Sequence, residues 1–125
     1  MDKQRFFLFR RKRDNHEGYE YIQHMTSPSH DGGLSCSCWP EFAWRGQTVL
    51  DVEKMRYLIS ISKYYKNKNF ELVQYYMDSD TPSWAVMPER IEYENVLTEL
   101  RPLTQSEIED LQNYKIKALE RYGNR

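Results

Sequence analysis

The chain has too few cysteines to be held together by them. Its two, Cys36 and Cys38, stand one residue apart, where closing a disulfide ring would strain the bridge. A secreted disulfide scaffold is therefore excluded, and reduced thiols fit a cytoplasmic setting. Long apolar runs are also missing. The longest near the start, residues 6–9, is too short for a secretory signal, and nowhere do about 18 apolar residues follow one another. The sequence thus predicts a soluble chain with no membrane partner. Net charge is nearly absent as well, because 18 Lys and Arg stand against 19 Asp and Glu. No global field draws the chain to a polyanion, and only a local patch can do so. Finally, there is no P-loop, dinucleotide-binding fingerprint, nucleophile elbow or internal repeat. That weakens the case for an enzyme and implies no cofactor.

Aromatic side chains are plentiful, at 14% of the residues including ten Tyr and three Trp, within a total of 39% hydrophobic. Such a chain folds instead of remaining disordered. At 125 residues it suits a single domain over 1–125. Alanine is scarce while Tyr, Lys, Asn and Ile are common, a balance expected of an AT-rich genome and compatible with a viral, phage or mobile-element accessory protein.

The longest apolar-rich stretch free of proline and glycine is residues 48–77. Thr48 suits a helix N-cap and Asp51 the first turn, where a carboxylate complements the helix dipole. Val52, Met55 and Ile59 then fall on one face, and the period predicts a helix over about 49–63. A strand from Tyr57 to Ser62, alternating Ile59 and Ile61 against two serines, is the competing reading. After the polar turn 66–69, residues 70–77 read as a strand. Upstream, residues 3–11 and 19–25 read as a hairpin, with Phe7 and Phe9 on one face and Phe6 and Leu8 on the other. Residues 26–33 form a loop rich in breakers. Short strands are expected at 34–38 and 83–87, and a strand, straight or bent, over 90–100. Thr104 and Glu107 spell a capping box that opens an amphipathic helix over about 105–122, with Ile108, Leu111, Ala118, Leu119 and Tyr122 as its stripe and Lys115 within it. The fold class expected is α+β, a mainly antiparallel sheet of about four to six strands with two helices packed on it.

Three groups of residues are candidates for function. Arg10, Arg11, Lys12 and Arg13 are four adjacent cations of the kind that contact phosphates, with Phe6, Phe9, Tyr19 and Tyr21 nearby as stacking faces. Cations at a strand end also simply keep an edge from pairing. His24, His30, Cys36 and Cys38 carry the donor types zinc prefers, although Cys-x-Cys is an unusual spacing, and a cysteine more often serves as a small buried hydrophobe. A cysteine nucleophile with a histidine base would draw on the same four. Trp39, Trp44, Tyr64, Tyr65 and Trp84 could form an aromatic contact surface for a protein partner or a second copy of the chain. The expectation is a protein-binding accessory module without catalytic activity. Nucleic-acid binding through residues 10–13 is the first alternative, and a small zinc or cysteine-dependent enzyme the second.

Overall fold

A computed structural model describes residues 3–24, 33–39, 42–78, 94–97 and 100–122. Its elements are β1 (Lys3–Lys12), β2 (Tyr19–His24), β3 (Leu34–Ser37), α1 (Val49–Ile61), β4 (Glu71–Asp78), β5 (Glu94–Leu97) and α2 (Gln105–Tyr122). The strands form one antiparallel sheet in the order β3-β2-β1-β4-β5. The arrangement is α+β, as the sequence predicts, and the helix reading of residues 57–61 prevails over the strand. The expected strand at 83–87 and the loop residues 26–32 lie outside the described residues.

Local chemistry accounts for the boundaries. The turn from β1 to β2 places Asn15 at φ 60° and Gly18 at φ 89°, the left-handed conformation that Asn and Gly tolerate best. Thr48 caps α1, its hydroxyl accepting from Asp51 N–H at 3.1 Å while the Asp51 carboxylate accepts from Thr48 N–H at 3.2 Å. Helix α1 stops two residues short of the predicted end. There Ser62 turns to an extended conformation, and its hydroxyl accepts from Tyr65 N–H. The capping box of α2 is formed by Thr104 and Glu107, and Arg101 joins it with two bonds to the Glu107 carboxylate at 2.8 and 3.0 Å. These donors, Arg101 foremost, hold the Glu107 pKa down to about 2 from its ordinary 4.5. The clasp therefore favours the fold above that ordinary value and is lost as the pH falls towards 2.

The main core lies between the sheet and the helices. Phe7 and Phe9 of β1, Ile22 of β2, Leu34 of β3 and Leu72 of β4 meet Val52, Met55, Leu58 and Ile59 of α1 and Ala118 of α2. The opposite sheet face carries a smaller cluster of Leu8, Val73 and Ala43, flanked by Phe6 and Tyr21. The strand alternation read from residues 6–9 is thus realised on both faces. On α2 the buried positions are Leu111 and Ala118, whereas Ile108 and Leu119 of the predicted stripe are exposed. Lys115 stands over the Tyr57 ring at 5.2 Å, crossing the seam between the helices as a snorkelling side chain does.

A short segment acts as a wedge in the sheet. Beyond Arg10 and Tyr21 the described pairing of β1 with β2 stops. Into this opening comes Gly46, which exchanges both backbone bonds with Phe7 at 2.8 and 2.9 Å, while Trp44 N–H donates to the Ile22 carbonyl at 2.8 Å. The wedge satisfies backbone groups that the separated strands would otherwise leave without partners.

Candidate functional site

The cationic run divides in the fold. Arg10 is 7% exposed, its guanidinium lying 3.9 Å from the centre of the Tyr19 ring and donating to Glu71 at 2.7 Å. Arg11 points to the other face and bonds to Glu20, and to Asp14 at 2.9 Å. These acids, the Asp14 bond above all, raise its pKa further, while Arg11 in turn lowers that of Asp14. Of the four cations, Lys12 is exposed and Arg13 half-exposed. Two charges of the patch are thus engaged by carboxylates within the fold.

The thiols also separate. Cys36 faces the helix side, opposite Ile22, while Cys38 stands past the end of β3 and is exposed. Burial pushes the Cys36 thiol up to about 11, with Glu20 adding to the rise, while a hydrogen bond with Tyr65 opposes it. His24 ends β2 opposite Leu34, and His30 lies outside the described residues. Among the described residues no three His, Cys, Asp or Glu side chains converge in a way that could hold a metal ion. The contrast between the thiols is directly measurable. At pH 8 a disulfide reagent should modify Cys38 at least about tenfold faster than Cys36, because the thiolate is the nucleophile. Equal rates in single-cysteine variants would show that Cys36 is not shielded as described.

Among the candidate aromatics, Trp44 and Tyr65 turn inward. Trp44 stacks on Phe9 with ring centres 6.0 Å apart, and Tyr65 meets Phe70 edge-on at the same separation. Trp39 and Tyr64 face outward, at 58% and 61% exposure, and Phe42 joins them at 56%. Trp84 lies outside the described residues. Trp39 and Phe42 follow β3 in the chain; Trp39 N–H donates to the Ser37 hydroxyl and Phe42 N–H to the Trp39 carbonyl, both at 3.1 Å.

Trp39 thus stands next to an edge of the described sheet. The Ile22 carbonyl is directed towards the wedge, so alternation directs the backbone groups of Tyr21 and Gln23 towards β3. Their register partners, Ser37 and Ser35, complete those bonds, and Leu34 and Cys36 direct N–H and C=O outward. Among the described residues no further strand pairs with this edge. An outward ladder on a strand followed in the chain by two exposed aromatic residues can accept an extended chain.

A separate polar pocket of about 240 Å³ lies between the helices and the end of β2. His24, Arg45, Lys54 and Tyr114 come together there from four different segments, with Trp44 as one wall. Lys54 lies 5.4 Å from the centre of the Tyr114 ring, and Asp51 at the rim accepts from Gln47 and Thr48 N–H. Arg45, Lys54 and Tyr114 carry no motif in the sequence, and only the folded topology gathers them.

The fold and its edge define an α+β protein with a five-stranded antiparallel sheet and two helices on one face. Comparisons with protein-family models, curated proteins and solved structures found nothing that matches this chain. No helix among the described residues is long and apolar enough to cross a membrane.

Proposed function

We propose that the chain is a non-enzymatic, cytoplasmic binding module that captures an extended segment of a protein partner along the outer edge of β3. The observation that carries this reading is the pair Trp39 and Phe42, more than half exposed in the segment that follows the edge strand of the described sheet. Main-chain bonds from Leu34 and Cys36 supply affinity that is indifferent to sequence, and the two rings select apolar side chains at alternate positions. The free cysteines agree with a reducing compartment.

A random peptide library selected against the immobilised protein tests it. Recovered peptides should alternate apolar and polar residues, and their binding should protect the Leu34 and Cys36 amides from hydrogen exchange. Trp39→Ala with Phe42→Ala should weaken the best peptide about 30-fold, the scale of an aromatic hot spot. Peptides that bind the double variant equally well, or that leave those amides unprotected, would sink the proposal.

A further inference from the structure

The turn joining α1 to β4 borders an open pocket of about 350 Å³, distinct from both the aromatic edge and the polar pocket. Phe9, Ile59, Phe70 and Leu72 form its apolar floor. Around the rim stand Arg56, Lys66 and Lys68, with Ser60 and Asn69 between them. Glu71 is the one carboxylate in the lining, and it already accepts from Arg10 at 2.7 Å. Arg56 donates to Glu53 at 2.8 Å through one of its five N–H groups. Neither Lys66 nor Lys68 forms an ion pair among the described residues. Their backbone is held in place, Lys66 N–H donating to the Ser62 carbonyl at 3.2 Å and Lys68 N–H to that of Tyr65 at 3.0 Å. The cations are therefore presented from a hydrogen-bonded turn.

We infer that this pocket binds a small amphipathic anion, with an apolar group about the size of a phenyl ring on the floor and a single anionic head at Lys66 and Lys68. A neutral apolar ligand would partly desolvate the cationic rim without compensating it. A bare anion would gain nothing from the four apolar side chains. A molecule with both parts gains from burial and from charge-assisted hydrogen bonds together. The volume is within the range that encloses small ligands. This inference is independent of peptide capture at β3.

The probes are 4-phenylbutyrate, its uncharged amide and inorganic phosphate, each titrated into ¹⁵N-labelled full-length protein and followed by amide chemical shifts. Expected are saturable shifts for 4-phenylbutyrate centred on Ser60, Asn69 and Phe70. Binding should be about tenfold weaker for the amide, and about tenfold weaker for the acid on the Lys66→Gln, Lys68→Gln double variant. Phosphate should not saturate below about 10 mM, the range expected of a head lacking its apolar anchor. The two lysines are exposed, and the dispersion of the variant's spectrum verifies its fold. The inference is overturned if 4-phenylbutyrate fails to saturate, if acid and amide bind alike, if the double variant binds as wild type, if phosphate binds as well as the acid, or if the shifts centre on His24 and Arg45.

Discussion

Gly46→Ala is expected to lower stability by about 3 kcal/mol, a loss at the upper end of those caused by overpacking. A Cβ at this position would stand 2.6 Å from Cη2 of Trp44 and 3.1 Å from Cβ of Asp51. Neither neighbour can move at low cost. Trp44 is stacked on Phe9 in the core, and its own N–H is bonded to Ile22. Asp51 is the carboxylate that closes the capping box of α1. Shifting the backbone of Gly46 instead would lengthen both bonds to Phe7, which is 1% exposed and has no access to water as a substitute partner. Urea denaturation followed by tryptophan fluorescence measures the loss, with the change expected in the midpoint and not in the slope. Trp44→Leu removes the ring atoms in the way, so Gly46→Ala should cost less in that background and the two changes should be non-additive. Gly18→Ala provides the contrast. That site is open, with nothing within 4 Å of an added Cβ, and only its φ of 89° is unfavourable, so about 1 kcal/mol is expected. A Gly46→Ala protein within about 0.5 kcal/mol of wild type would mean that the wedge yields easily and is not a fixed part of the sheet.

This wedge also marks the limit of what the amino-acid order discloses. Residues 6–9 alternate by face because a strand repeats every two residues, and both clusters follow from that period. Helix α2 was legible for a similar local reason, since Thr104 and Glu107 name its first turn. Helix α1 was legible in period but not in its end, because Ile61 and Ser62 satisfy a helix or a strand equally well until Ser62 is seen to accept from Tyr65. What is not local was not legible. Nothing between Trp39 and Gln47 signals insertion between two strands. Similarly, the inward turn of Trp44 and Tyr65 and the outward turn of Trp39 depend on which surfaces the sheet leaves uncovered. Phe42, the companion of Trp39, is indistinguishable in sequence from a core phenylalanine. The pocket lysines 66 and 68 look like an ordinary polar turn, and gain meaning only from the apolar floor beneath them.

For the cationic run, the fold reverses the expected order of importance. Arg10→Ala should cost about 3 kcal/mol, whereas Lys12→Ala and Arg13→Ala should each stay within about 0.5 kcal/mol. The Arg10 side chain is 9% exposed and covers Tyr19 with its guanidinium, while its Nε bonds to Glu71 across the β1–β4 pair. Truncation removes a charge-assisted hydrogen bond, a largely desolvated cation–π contact and the packing of the aliphatic stem together. The Glu71 side chain is 37% exposed and can recover water, which keeps the loss below that of a fully buried broken pair. Arg10→Lys should restore little of it, because an ammonium lacks both the planar face and the fixed fork of donors. The consequence reaches the nucleic-acid reading. Neutralising all of residues 10–13 at once would also break the Arg10 and Arg11 ion pairs, so lost binding would not separate phosphate contact from lost structure. Lys12→Ser with Arg13→Ser leaves the described ion pairs intact and is the variant that separates the two effects. Should that pair abolish salt-sensitive retention on single-stranded DNA while the unfolding midpoint stays unchanged, phosphate contact at the hairpin turn would displace peptide capture as the leading function. Unchanged or absent retention leaves peptide capture at the edge of β3 as the proposal still to be tested.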